Sequence, residues 1–444
     1  MTNFLDNLPT YQNYCDSGIE WYGSIPSHWE PLPNKYIFDL KKDLVGRHSS
    51  EYTLLSLTLN GVIERDMENP EGKFPAEFDT YQKVSPGDFV FCLFDVEETP
   101  RTIGLSSFNG MITGAYTVFR PRDAFNKEYL EYFFLSLDSG KRLRFLYKGL
   151  RNTIPKDVFL SFKTLTPPIH EQKLIARFLS RRTVQIDQVI QIKERQIERL
   201  KERKKILIQQ AVTLGLDPHV PTRDSGIEWI GEIPAHWETV RLKYLFKEIN
   251  ERTKTGEETL LSLRMELGLV PHDDVSDKAI SNESLVDYKL VRPAQMVMNR
   301  MRAAIGIFGV STRFGLVSPD YAVFDIKERA NSSFFLRLFK LPLLGTQFRL
   351  GSKGLGTGSS GFMRLYTENF GDIKVAVPPL GEQLEILKFI DSTSERLDNA
   401  CAVFEQQITK LKEYKATLIN SAVTGKIKVP GVVEPAEIQE REFA

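Results

Sequence analysis

Two long stretches of the chain place apolar residues at seven-residue intervals. Neither 170–213 nor 381–424 contains an internal proline or glycine, so each predicts one continuous helix of about 42 residues, roughly 60 Å long. The apolar rows are Leu179, Ile186, Leu200 and Leu207 with Ile190, Ile197 and Ala211, and then Ile390, Leu397, Phe404, Leu411 and Leu418 with Cys401, Ile408 and Ala422. Lys193 and Lys204 each interrupt one of the two rows of the first helix, which suggests that they control register. We expect the two helices to pair with each other. The alternative is that each packs on its own domain or on another subunit.

The rest of the chain has short apolar or alternating runs punctuated by glycine and proline. Runs at 88–94, 115–119, 295–298 and 321–324 are typical of strands in a loop-rich domain. Helices are predicted near 127–144 and near 332–341, the second stopped by Pro342. The fold class is therefore mixed α/β (α+β), with globular domains separated by the two long helices.

An internal repeat organises these elements. The segment Asp16–Glu30 returns as Asp224–Glu238 with twelve of fifteen residues identical, at an offset of 208. The match continues through the Pro-Pro-x-x-Glu-Gln segments at 167–172 and 378–383 to the Ala-Val-Thr segments at 211–213 and 422–424. The stretches between these anchors differ almost completely, so a duplicated scaffold carries divergent interiors. Two quasi-equivalent halves favour a pseudo-two-fold arrangement with antiparallel helices.

The composition is that of a soluble globular protein. The 444 residues are 41% apolar and 26% charged, with 58 basic and 58 acidic side chains. Zero net charge removes any argument for nucleic-acid binding from bulk basicity. No apolar run approaches a membrane span, and the first residues lack a signal sequence, which predicts a cytoplasmic protein. Three widely spaced cysteines support neither disulfides nor a zinc site.

Charge is nevertheless segregated, and in the same way in both copies. Residues 1–100 carry 7 basic and 17 acidic side chains, whereas 141–165 carry 7 basic and one acidic. Residues 337–364 carry five basic side chains and no acid. A charged run is usually a solvated face, but its recurrence at matching positions favours DNA binding. The glycine-rich segment 351–361 adds backbone N–H groups that can follow phosphates.

Motifs for catalysis are missing from the sequence. It has no Asn/Asp-Pro-Pro-Tyr/Phe methyltransferase loop, Walker A motif, HExxH or GxSxG. His28 and His236 occupy the repeated Ile-Pro-x-His-Trp turn, and we expect them to be structural, with Trp29 and Trp237 packed under the domain. Glu171 and Glu382 stand at helix starts, where capping and the helix dipole account for them.

The doubled Ser-Gly-Ile-Glu-Trp-x-Gly-x-Ile-Pro-x-His-Trp, Pro-Pro-x-x-Glu-Gln and Ala-Val-Thr motifs resemble those of the specificity (S) subunits of type I restriction-modification systems. The resemblance implies a non-catalytic subunit with target recognition domains at 1–165 and 216–376. It also implies conserved helical regions at 166–215 and 377–425, which form an antiparallel coiled coil, and a C-terminal tail at 426–444. Each recognition domain would bind one half of an asymmetric, split site in double-stranded DNA.

The resemblance further implies partners that carry the chemistry. Two methyltransferase (M) subunits would hold S-adenosylmethionine, and restriction (R) subunits would use ATP and magnesium. No cofactor or metal is expected in this chain, and no membrane is involved. Two alternatives stay open: a self-contained methyltransferase or nuclease with degenerate motifs, and a coiled-coil scaffold that does not bind DNA.

Candidate DNA-binding residues follow from the basic segments and from the chemistry of base edges. Arginine, asparagine and glutamine are suited to guanine and adenine edges, and lysine to phosphates. The candidates are Lys148, Arg151 and Asn152 in copy one, and Asn299, Arg300, Lys353, Ser359, Ser360 and Arg364 in copy two.

Overall fold

The computed structural model describes residues 8–66, 78–148, 152–277, 280–355 and 362–434. It divides into two compact units, one formed by 1–194 with 405–444 and the other by 195–404. Unit 1 contains the globular part of copy one, and unit 2 contains that of copy two. The fold is mixed helix and strand, as predicted, while the domain bounds proposed from the sequence stay a prediction.

The globular part of unit 1 is built around a four-stranded antiparallel sheet of order β4-β11-β8-β9. Two-stranded pairings such as β3 with β12 surround it. The strands are β1 Tyr14–Asp16, β2 Ser24–Pro26, β3 Glu30–Pro33, β4 Phe38–Lys41, β5 Leu55–Thr58, β6 Gly61–Glu64, β7 Gln82–Val84, β8 Phe89–Phe91, β9 Ile103–Leu105, β10 Gly110–Ile112, β11 Thr117–Pro121 and β12 Lys163–Thr166. The helices are α1 Lys127–Ser139, α2 Lys156–Ser161 and α3 Ile169–Leu214, which continues into unit 2.

Unit 2 repeats this plan with a sheet of order β16-β23-β20-β21. Its strands are β13 Thr222–Asp224, β14 Glu232–Pro234, β15 Glu238–Arg241, β16 Phe246–Ile249, β17 Leu261–Arg264, β18 Gly268–Pro271, β19 Lys289–Val291, β20 Met296–Asn299, β21 Phe308–Val310, β22 Gly315–Val317, β23 Tyr321–Ile326, β24 Lys353–Leu355, β25 Phe362–Arg364 and β26 Lys374–Val377. The helices are α4 Ser332–Phe339, α5 Pro342–Leu350, α6 Thr367–Asp372 and α7 Leu380–Val423, which continues into unit 1.

Both cores are built on buried phenylalanines. The comparison of the two copies by sequence did not match these residues. Phe38 on β4 packs on Phe119 and Phe159 in unit 1, and Phe246 on β16 packs on Phe324 and Phe370 in unit 2. The interiors are thus more alike than the identities between the anchors indicate, because equivalent strands and equivalent short helices keep the aromatic positions.

One local prediction needs correction, and another is incomplete. The helix expected over 127–144 ends at Ser139, because Lys141 adopts a left-handed backbone with φ of 49° and a 3-10 turn follows. The second predicted helix, α4, ends at Phe339 before Pro342, as expected, but Pro342 also begins a further helix, α5, at its first turn. Proline is tolerated there because a first-turn N–H has no partner within the helix.

The two long helices pair within each unit, and the pairing is antiparallel. In unit 1, Lys193 of α3 donates to Gln407 of α7 at 2.6 Å, and Lys415 of α7 bonds Asp187 of α3 at 2.6 Å. Residue numbers in α7 therefore fall as those of their partners in α3 rise, which makes the two helices antiparallel. In unit 2, Lys204 of α3 bonds Asp398 of α7 at 2.7 Å. The helix bounds predicted from the sequence, 170–213 and 381–424, are correct to one residue at each end. Lys193 and Lys204, which interrupt the apolar rows of α3, both bond the opposite helix.

Unit 1 is assembled from both ends of the chain. The backbone N–H of Lys428 donates to the Pro9 carbonyl at 2.7 Å, and that of Gln12 donates to the Glu434 carboxylate at 3.1 Å. Glu434 is only 3% exposed. In unit 2, the single segment from Gly215 to Asp224 leads from helix end to β13 without a break.

Candidate nucleic-acid interface

The repeated Ile-Pro-x-His-Trp turn of copy one binds the start of α3. The Glu171 carboxylate accepts hydrogen bonds from Trp29 Nε1 at 3.0 Å and from the Tyr11 hydroxyl, and it pairs with His28 Nε2 at 2.8 Å. Glu171 is 1% exposed. Burial, and then the nearby Glu171 carboxylate, raise the pKa of Tyr11 far above its ordinary value, so its hydroxyl stays a donor. The turn therefore fixes the globular domain of copy one to the helix.

Copy two has the same arrangement at the start of α7. Glu382 accepts from Trp237 Nε1 at 3.0 Å and pairs with His236 Nε2 at 2.7 Å. This site is more open, since the Glu382 side chain is 22% exposed. We call each set, His28, Trp29 and Glu171 or His236, Trp237 and Glu382, a helix lock. The structural role expected for the histidines and tryptophans is confirmed.

The glutamine beside each glutamate joins the lock to a neighbouring helix. Gln172 Oε1 accepts from the backbone of Asn126, the N-cap of α1, and Gln383 Oε1 accepts from the backbone of Asn331, the N-cap of α4. The bonds found for both glutamates come from outside their own helices, so capping alone was an incomplete explanation. The co-occurrence of doubled His-Trp and doubled Glu-Gln was the sequence signal for this contact.

Two of the copy-one candidates, Lys148 and Asn152, lie at exposed positions outside the helices and strands. Their main chains are held by bonds to Thr153 and Asp95, the latter in a left-handed conformation. Within the described residues, no side chain pairs with that of Lys148. Arg151 lies outside the described residues.

The copy-two candidates are placed differently from one another. Asn299 is 8% exposed, and its Oδ1 accepts from the backbone of Met301 and Arg302, so it caps a turn. Arg300 donates to Glu248 at 2.6 Å. Lys353 on β24 is exposed and pairs in register with Arg364 on β25. Ser359 and Ser360 lie outside the described residues.

Arg300 and Arg364 meet in a pocket of about 490 Å³ on unit 2. We call it the basic pocket. It is lined by Glu248, Asn250, Arg252, Lys289, Arg300, Pro319, Asp320, Arg364 and Tyr366. The sequence did not single out Arg252, Lys289 or Tyr366. No local signal could have found them, because strand pairing rather than sequence distance brings them together.

A carboxylate holds the basic pocket together. Glu248 accepts from Arg300, from Lys289 at 3.1 Å and from the Thr367 hydroxyl. Burial alone would raise the pKa of Glu248, but these donors outweigh burial and hold it below the ordinary 4.5. For Lys289, burial together with the nearby Arg300 and Arg252 lowers the pKa, despite the bond to Glu248. Cations are thus crowded at this site.

Several other basic side chains in the charged segments have structural partners. Lys141 bonds Asp138 at 2.8 Å, Arg144 bonds Glu97 at 2.7 Å, and Arg337 bonds Asp391 at 3.1 Å. The recurrence of basic segments therefore reflects packing in part. Across the ranges that the structure describes, no group of His, Cys, Asp or Glu is suited to hold a metal ion. Nor does any helix there have the length and apolarity to cross a membrane.

The fold and the locks define a duplicated protein in which each of two globular domains is fastened to the start of a long paired helix. No family model matches the chain. It is similar to the putative type I restriction enzyme MjaX specificity subunit of Methanocaldococcus jannaschii, with 24% identity over 92% of this chain and 95% of that protein. The MjaVIII specificity subunit of the same organism is 24% identical over 62% of this chain and 64% of its own length.

Solved structures give the same fold. A protein from a structural study of type I restriction-modification complex assembly superposes with a TM-score of 0.60 at 13% identity, covering 90% of this chain and 98% of that one. The HsdS subunit of Thermoanaerobacter tengcongensis gives 0.50 at 13% identity, covering 91% and 98%. The resemblance to type I specificity subunits inferred from the doubled motifs is confirmed.

Proposed function

We propose that this chain is the DNA sequence-specificity subunit of a type I restriction-modification complex. It recognises a bipartite, asymmetric site, one half through each globular domain. The observation that carries the proposal is the similarity to a specificity subunit over 92% of the chain. The duplication supports it, because two domains with matching locks and divergent surfaces are suited to two different half-sites.

DNA contacts are assigned by residue type and exposure. Lys148 and Lys353 are exposed and would bind phosphates, since a lysine is a flexible point charge. Asn152 and Arg364, with Arg151, Ser359 and Ser360, would contact either base edges or the phosphates of the DNA backbone. Asn299 and Arg300 would act indirectly, because their side chains already bond within the fold.

The paired helices serve as the scaffold of the complex. They would fix the spacing between half-sites and carry two methyltransferase subunits, with restriction subunits joining the assembly. S-adenosylmethionine, ATP and magnesium would be bound by those partners, so this chain would be non-catalytic and would work in the cytoplasm.

The test is to map N6-methyladenine in DNA from cells that express this chain with its methyltransferase partner. We expect methylation at one asymmetric split sequence. Replacing residues 31–160 with the equivalent domain of a relative should change one half of that sequence only. A change in both halves would contradict the division of labour. Methyl transfer or DNA cleavage by the purified chain alone would favour a self-contained enzyme instead.

A further inference from the structure

The basic pocket of copy two carries more positive charge than its own carboxylates neutralise. Arg252, Lys289, Arg300 and Arg364 line it against two carboxylates, Glu248 and Asp320, which leaves a net charge of +2. Glu248 bonds two of the cations, and Asp320 bonds Arg364 at 3.1 Å. Arg252 donates to the backbone carbonyl of Asp287 at 2.9 Å, which orients it without neutralising it.

Strand register identifies the equivalent positions in copy one. Phe38 begins β4 as Phe246 begins β16, so Leu40 corresponds to Glu248. Isolated bridges join Leu44 to Gln82 in copy one and Arg252 to Lys289 in copy two. Leucine and glutamine thus stand where copy two has an arginine and a lysine.

Backbone bonds identify the other two positions. The N–H of Ile154 donates to the Leu93 carbonyl at 2.7 Å, and that of Leu365 donates to the Arg300 carbonyl at 2.9 Å. Leu93 therefore corresponds to Arg300, and Thr153 to Arg364. The five copy-one residues are all uncharged: Leu40, Leu44, Gln82, Leu93 and Thr153. At these five positions, copy two places four cations and one carboxylate where the described residues of copy one are uncharged.

We propose that the basic pocket binds one phosphate group, and that this phosphate belongs to the DNA backbone next to the half-site of copy two. Arg252 and Arg364 contact the phosphate, while Glu248 is a positioning residue that holds Lys289 and Arg300 beside it. A neutral base edge would leave the excess charge uncompensated, whereas a phosphate is an anion that guanidinium groups bind well. The proposal rests on the proposed function for the source of the phosphate.

The experiment measures DNA binding by the full chain, assembled with its methyltransferase partner, as a function of salt. The logarithm of the binding constant falls linearly with the logarithm of the salt concentration. In the double variant R252Q/R364Q this dependence should be less steep by about 0.9, the value for one phosphate contact. The loss should be the same on the split-site duplex and on a random duplex, because phosphates carry no sequence. R252K/R364K retains both charges and should recover most of the slope, which a purely structural role of the arginines would not produce.

R329Q is the matched control. Arg329 is a half-exposed arginine of the same unit, ion-paired with Glu238 and outside the pocket, and the control should leave the slope unchanged. An unchanged slope in R252Q/R364Q, or an equal loss in R329Q, would overturn the proposal. A loss confined to the split-site duplex would also overturn it, in favour of base contacts.

Free phosphate is distinguished by a second measurement. Thermal unfolding of the wild type and R252Q/R364Q is compared in potassium phosphate and in potassium chloride of equal ionic strength. Stabilisation by phosphate in the wild type alone, with an unchanged DNA salt slope, would assign the pocket to a free phosphate compound instead of DNA. If the wild-type complex binds DNA but methylates no split site, the proposed function fails, whereas the random-duplex slopes still decide the pocket.

Discussion

Replacing the lock glutamates by glutamine should destabilise the two copies unequally. In copy one, the Glu171 carboxylate is bonded by the side chains of Tyr11, His28 and Trp29 and is almost fully buried. Glutamine keeps one acceptor oxygen and turns an amide N–H₂ toward groups that also donate. In copy two, Glu382 accepts from Trp237, pairs with His236 and is partly open to water, so solvent can replace what is lost.

The magnitudes follow from the number of bonds and their burial. A hydrogen bond to a charged group contributes about 1.5–3 kcal/mol, and an unsatisfied buried donor costs about 1–3 kcal/mol. We therefore expect E171Q to lower the free energy of unfolding by about 3 kcal/mol and E382Q by about 1 kcal/mol. For units of this size, these losses lower Tm by roughly 6–12 °C and 2–4 °C.

The assay is calorimetry of the purified chain together with hydrogen exchange of peptides that contain His28 or His236. Faster exchange should be confined to the peptide whose lock is altered. E385Q, which changes an exposed glutamate one turn further along α7, is the control and should leave both measurements unchanged. Equal losses in E171Q and E382Q, or a larger loss in E382Q, would refute the account of the locks.

Three further predictions concern other parts of the scaffold. G425A should lower Tm by several degrees in thermal unfolding, because Gly425 has φ of 70° and an added Cβ would lie 2.3 Å from Pro26 Cδ. The control G381A should not lower Tm, because the space around Gly381 in the first turn of α7 is open. The wild type should be more stable than E248Q above pH 4.5, and this difference should shrink as the pH falls further, because the folded state holds the pKa of Glu248 below 4.5. Urea unfolding at a series of pH values measures the difference, and a difference that grows in acid would contradict the prediction. Four residues inserted near Gln209 should lengthen α3 by about 6 Å and increase the methylated spacer by one or two base pairs with the half-sites unchanged; mapping the methylated sequence decides, and a changed half-site with a fixed spacer would count against the helices as a spacer.

The long helices were predictable from the sequence, and most of the candidate interface was not. Heptad spacing is a local signal, and it predicted α3 and α7 to within one residue at each end. The basic pocket instead depends on which strands pair, and Glu248 and Arg364 are brought together from positions more than a hundred residues apart. Asn299 had the right chemistry for a base contact, but its amide caps a turn. Residue type alone cannot show whether a polar side chain is already engaged.

Unit 1 combines two segments of the chain, 1–194 and 405–444. The order of these segments along the chain therefore does not determine which contacts they make in the fold. Two segments far apart in the sequence meet where Lys428 bonds Pro9, and the corresponding stretch of unit 2, from Gly215 to Asp224, is continuous. A chain that began near residue 216, with residue 434 joined by a linker to residue 8, would retain the described contacts within each unit. Either order of the segments along the chain is thus compatible with the same contacts inside each unit.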